Sequence, residues 1–129
     1  MDKQQVNPWT WQDAAGFSQG WRVEGAASIV FVSGQAPVSA DGRSVGEGDF
    51  DAQARQVFEN LRTVLEEAGI GMDAVAKLTV YLTDMSRLRD YARIKNEFFA
   101  GDQPASTAVG VTALARPEMM VEVEAIAVS

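Results

Sequence analysis

The chain has 129 residues, 47% hydrophobic and 22% charged, which fits one globular domain long enough to bury a core. A formal net charge of -7 gives an acidic surface that repels phosphate backbones and anionic lipid, so neither nucleic acid nor membrane is expected as a partner. Cysteine and histidine are both absent, which excludes disulfides, thiol catalysis, zinc-thiolate sites and any Ser-His nucleophile system. What chemistry remains must rest on carboxylates, arginines, hydroxyls, backbone groups or bound water.

The opening residues MDKQQVNPWTWQD hold no apolar signal-peptide core, and no run approaches the roughly 18 apolar residues of a membrane helix. A cytoplasmic location is therefore expected. Residues 1–16 read as irregular, and Phe17 to Val23 as a strand. Ser28 to Ser33 is a β-branched and aromatic run that reads as a buried strand ended by Gly34. Asp41-Gly42 is a hairpin signal that predicts short flanking strands. Phe50, Ala54, Val57, Phe58, Leu61, Val64, Leu65 and Ala68 recur at helical spacing, with Asp49 or Asp51 to cap the start and Gly69 past the end. Val75 to Leu82 alternates as a strand. A second helix is expected from about Ser86 to Phe99, its stripe formed by Leu88, Tyr91, Ile94 and Phe98. Residues 105–114 and 119–128 read as two final strands.

Two amphipathic helices among strands predict an α+β two-layer sandwich, both helices on one face of a mixed sheet. The other face then needs a partner or stays wet. In the last strand Val121, Val123, Ala125 and Ala127 share one side. Met120, Glu122, Glu124, Ile126 and Val128 share the other, which is apolar apart from two glutamates. It reads either as a solvated surface or as an oligomer interface carrying carboxylates inward.

Several segments together resemble the Rid family, also called YjgF, the reactive intermediate deaminases. They are Ser33-Gly34-Gln35-Ala36-Pro37, the helix from Gln53 to Gly69, Lys77 to Asp84, Asn96-Glu97-Phe98-Phe99, Ala105 to Val111 and Arg116 to Ala127. The resemblance covers about residues 17–128. It implies a chorismate-mutase-like fold and a homotrimer with a barrel-like core and ligand clefts between subunits. It also implies hydrolysis of enamine and imine intermediates such as 2-aminoacrylate, with neither metal nor organic cofactor.

The family's arginine belongs in the segment Pro104-Ala105-Ser106-Thr107, where this chain has Ser106. A guanidinium clamps a carboxylate bidentately and stays charged, whereas a hydroxyl offers one neutral donor. Common amino-acid imines are therefore expected to be poor substrates. The resemblance further places Phe17 as a cleft wall without the hydroxyl of the frequent tyrosine, Ser33 and Gly34 beside the ligand, and Ala92 in place of an asparagine. Thr107 follows position 106 as in the family, and Glu122 matches a glutamate that positions the hydrolytic water.

Each residue also has a plainer reading. Glu122 and Glu124 could tie down interface backbone, Phe17 could be core packing, and Ser106 could donate to a ligand but has no base to make it a nucleophile. Trp9, Trp11 and Trp21 could line an enlarged cleft or pack the N-terminus. Arg87, Arg89, Arg93 and Lys95 read as a solvated helix face, and Arg22 or Arg116 could stand in for the missing arginine. Two main functions follow: a diverged enzyme acting on a small reactive metabolite lacking the usual carboxylate, or a non-catalytic trimer that binds metabolites. Ribonuclease activity, the third, fits poorly with the acidic charge and missing histidines.

Overall fold

The structure, a computed structural model, describes residues 1–129. Its elements in chain order are β1 (Asp2–Gln5), α1 (Gln12–Ala15), β2 (Trp21–Glu24), β3 (Ile29–Gln35), α2 (Phe50–Glu67), β4 (Val75–Leu82), α3 (Leu88–Lys95), β5 (Ala105–Gly110) and β6 (Val121–Val128). The main sheet runs β3-β6-β4-β5. β6 is antiparallel to both neighbours, while β4 and β5 are parallel and joined over α3, as a parallel pair requires a crossover. This is the expected mixed sheet under a helical layer. β1 and β2 form a separate two-stranded ribbon.

Period-two alternation decides what the sheet buries. Leu78, Val80 and Leu82 of β4 and Val121, Val123, Ala125 and Ala127 of β6 join Val32 beneath the helices. From α2 come Phe50, Ala54, Val57, Phe58, Leu61 and Leu65; Tyr91 and Ile94 of α3 complete the layer. Asp49 caps α2 by accepting from the Ala52 amide at 3.1 Å. Val64 and Ala68, expected on the stripe, are exposed.

Gln53 interrupts that stripe and is only 1% exposed. Its amide donates to the Gly46 and Glu118 carbonyls at 3.0 and 2.9 Å, and its Oε1 accepts from the Met120 amide at 2.8 Å. It therefore ties α2 to the loop before it and to the start of β6. Gln53→Met is expected to cost about 1–3 kcal/mol in chemical denaturation, because it strands buried backbone groups while keeping the volume.

Several expected boundaries move. Residues 1–16, expected to be irregular, contain β1 and α1. β1 is polar and exists through its pairing with β2, which local hydrophobicity does not reveal. The strand expected from Phe17 begins at Trp21, and the Asp-Gly hairpin is one bridge between Val38 and Ser44. α3 is shorter than expected because Glu97 and Phe98 donate to the carbonyls three residues back, tightening the chain out of α-geometry. β5 stops at Gly110 because its partner β4 ends at Leu82. β6 starts at Val121 because Gln53 takes the Met120 amide.

The face of the sheet away from the helices is uncovered. Ile29 and Phe31 of β3 are 57% and 76% exposed, and Ile126 of β6 lies opposite Phe31. Lys77, Thr79 and Tyr81 of β4 share this face, as do Glu122 and Glu124.

Candidate functional site

On the helical side of the edge strand β5, a cavity of about 550 Å³ opens between β5, α3 and α1. Ser106 and Ala108 of β5, Ala92 of α3 and Phe17 line it. Ser106 pairs in register with the core residue Leu78, so alternation sends its side chain to the same side, but at the sheet's edge that side is cavity rather than core. Trp11 packs edge-on against Phe17 with ring centroids 5.7 Å apart, and Trp9 stacks on Trp11. The N-terminal segment thus builds one wall, with Ala14 and Ala15 of α1 facing the cavity.

Two cations line the same cavity, Arg89 and Lys95. The solvated-face reading of the α3 cluster holds for Arg87 and Arg93, which pair with Asp90 and Asp51 on the surface. It does not hold for Lys95, which is 3% exposed and donates to the Gly16 carbonyl. Burial lowers the Lys95 ammonium to about 8. Between that value and the usual lysine range the unfolded chain holds a proton that the folded chain has released, so stability rises with pH there. Above about 10 the raised Tyr81 and Tyr91 hydroxyls oppose this, since an unfolded tyrosine ionises more readily. Lys95→Met is therefore expected to flatten the rise in stability between about pH 8 and 10, measured by urea unfolding across that range.

The remaining candidates sit on the opposite side of the sheet. A bulge in β3 between Val32 and Gln35 brings Gly34 against Glu122. A Cβ at Gly34 would stand 2.7 Å from the Glu122 Oε2, so a larger residue would push the carboxylate out of its place. Ser33 is the exposed neighbour of this contact. Thr107 alternates with Ser106 and faces away from the cavity, accepting from the Lys77 ammonium at 2.6 Å. Tyr81 donates to Glu124, which raises the Tyr81 hydroxyl above its ordinary value. One chain thus brings Phe17, Ala92 and Ser106 together, and separately Ser33, Gly34 and Glu122, with the sheet between the two groups.

The model of the family described as Endoribonuclease L-PSP matches residues 10–129. The chain superposes on the crystal structure of YyfB, a Rid-family protein of unknown function from Yersinia pestis, with TM-score 0.89 and 31% identity over 100% of both chains. The chain belongs to the Rid (YjgF) family. A crystal structure of RidA from an Antarctic Psychrobacter is similar at TM-score 0.74 and 32% identity, covering 88% of each chain. Among relatives compared by sequence, protein DfrA of Myxococcus xanthus is 39% identical over 116 residues, covering 88% of this chain and 85% of that one. A RutC family protein of Pyrococcus abyssi is 36% identical over 100 residues, 78% of each.

For a Rid-family chain with serine at position 106, the whereabouts of the other arginines matter. Arg22 is exposed on β2 and pairs with Glu24. Arg116 donates to the Ser44 hydroxyl at 3.0 Å and the Gly42 carbonyl at 2.8 Å, bracing the hairpin loop together with Glu118. Neither lines the cavity around Ser106. Trp21 is also elsewhere, in a separate hollow with Lys3 and Phe98. Sequence reasoning missed Lys95, although a signal was present: it falls three residues after Ala92 and four after Tyr91, on the inward side of α3.

Proposed function

We propose that this Rid-family protein acts on a small reactive metabolite, by hydrolysis of an imine or enamine, in a cleft between subunits of a homotrimer. It differs from a standard 2-aminoacrylate deaminase. The observation that carries this reading is the division of the candidate residues between two faces of one sheet. The Ser106 cavity lacks a carboxylate of its own chain, and the Gly34-Glu122 edge lies on the exposed apolar face. A symmetric assembly that covers Phe31 and Ile29 can set Glu122 of the partner subunit across from the Ser106 cavity.

The chemistry is then simple in its balance. An enamine first gains a proton on carbon and loses one from nitrogen to become the imine; water then adds to the C=N carbon while its proton passes by way of the carboxylate to nitrogen. The resulting carbinolamine collapses, releasing ammonia and leaving a carbonyl. With histidine absent, Glu122 serves as the base that takes the proton from water. Ser106 serves as a neutral donor to the ligand. No metal or organic cofactor enters the scheme.

A non-catalytic metabolite-binding trimer is the second reading, favoured by the serine at position 106. RNA cleavage, which the family model's description suggests, suits a chain of net charge -7 without histidine poorly. The deciding assay generates imines of common amino acids with an amino-acid oxidase and follows their loss against semicarbazide capture. Turnover is expected about a hundredfold or more below that of an arginine-bearing relative, since losing a charged clamp costs several kcal/mol. Equal turnover would overturn the claim that position 106 sets this protein apart. Imine loss no faster than without protein would favour the non-catalytic reading, whereas turnover that survives Glu122→Gln unchanged would leave the water to another group.

A further inference from the structure

We propose that Lys95 and Arg89 form an anion-binding end of the Ser106 cavity, and that its ligand is a small organic monoanion, a carboxylate on an apolar body. This deepens the reading of that cavity as the ligand site and rests on it. It also revises the expectation of a ligand without a carboxylate: α3 supplies positive charge, though not the bidentate clamp that an arginine on β5 gives.

The argument begins with charge. The chain is acidic overall, yet its 550 Å³ cavity is lined by two cations and no acid. Arg22, Arg43, Arg55, Arg62, Arg87 and Arg93 each pair with a carboxylate, and Arg116 is held by the hairpin loop. Arg89, exposed to solvent where it lines the cavity, has no such partner. Lys95 has none either, and its one side-chain hydrogen bond goes to the Gly16 carbonyl. An ammonium carries three donors, so two remain to be satisfied in a place from which bulk water is nearly excluded. A buried charge left in that state is costly, and a carboxylate arriving in the cavity supplies what it lacks.

The surroundings leave no competing acid within the chain. From α1 and the turn after it, Lys95 meets the Gly16 carbonyl, while Asp13 lines a different pocket with Asp102. From α3 and the residue that follows it come Arg89 and Asn96, and from β5 come Ser106 and Ala108, which are uncharged. Glu97 is engaged by Arg55 at 2.8 Å. If Glu122 of the partner subunit completes the cleft, the set carries one net positive charge. That matches a carboxylate and disfavours a phosphate dianion. The apolar walls of Phe17, Leu88 and Ala92 suit a hydrocarbon body.

The test titrates the intact protein with 3-methylbutanoate and with the isosteric neutral 3-methylbutanamide, following amide shifts of α3 and β5 by NMR. The acid is expected to bind about tenfold or more tightly than the amide. Lys95→Met should remove most of the acid's preference, Arg89→Gln should weaken it several-fold, and the two together should bring the acid down to the amide's affinity. Calorimetry at pH 8 in two buffers of different ionisation enthalpy gives an independent readout on the unmodified protein. Binding the acid should take up protons, because the carboxylate draws Lys95 back to its charged form. Equal affinity for acid and amide, no binding of either, or no proton uptake would each overturn the proposal. So would an acid preference that Lys95→Met leaves undiminished. Acid binding without imine turnover would leave this site standing and sink the hydrolytic reading; turnover without any acid preference would do the reverse.

Discussion

Phe31→Glu is expected to convert the proposed trimer to a monomer while leaving the chain folded. Light scattering at micromolar concentration should report about three times 13.9 kDa for the unmodified protein and about 13.9 kDa for the variant. Phe31 is 76% exposed, so its ring adds little to the chain's own core and its loss should leave the fold intact. In an assembly the same ring would be buried, and fully burying such a side chain is worth about 1.5–3 kcal/mol per copy. The substitution removes that gain from every copy at once. It also places a new carboxylate on the face that already carries Glu122 and Glu124, and burying an unpaired charge there is costly. Threefold symmetry repeats each penalty, which is why complete dissociation is the expected result. A monomer or dimer mass for the unmodified protein would instead remove the assembly on which the inter-subunit cleft depends.

The fold was largely legible because long periodic segments determine it. The α2 stripe and the alternation in β4 and β6 each carry a strong local signal, and those elements form the observed core. What escaped is structure that depends on partners distant in sequence. β1 is a strand only because Arg22 and Val23 of β2 lie alongside it. α1 is a four-residue helix that builds a cavity wall, and nothing apolar and periodic announces it. At the site, Ser106 and Thr107 were both expected beside the ligand, but strand alternation turns them to opposite faces, and which of them met a cavity depended on β5 being the sheet's edge. The α3 cluster shows the same limit. Four basic residues within nine positions look like one solvated face, but helical spacing turns Lys95 inward while Arg93 reaches Asp51.

Ser106→Arg is expected to raise turnover of 2-aminoacrylate-type substrates by on the order of a hundredfold, the equivalent of a few kcal/mol from one bidentate guanidinium-carboxylate pair. The side chain would enter the cavity from β5, beside Ala92 and Phe17. Two effects oppose the gain. The variant places a third cation near Arg89 and Lys95 with no acid of the same chain to balance it, so the unliganded protein should lose stability. The new side chain also consumes space that Phe17 and Ala92 leave for ligand. The pH profile separates the two anchors. In the unmodified protein the Lys95 anchor loses its proton as pH rises through about 8, and its hold on a carboxylate goes with it. An arginine stays charged throughout, so the ratio of variant to unmodified turnover should grow between pH 7 and 9. The measurement is the oxidase-coupled imine assay across that range, on variants shown to keep the oligomeric state of the unmodified protein. Adding Glu122→Gln should abolish the gain, because the clamp holds the substrate but does not activate water. A single variant that gains nothing at any pH would show that the cleft has diverged at more than the one position. A gain that persists without Glu122 would assign that carboxylate a structural role beside Gly34 and leave the water to another group.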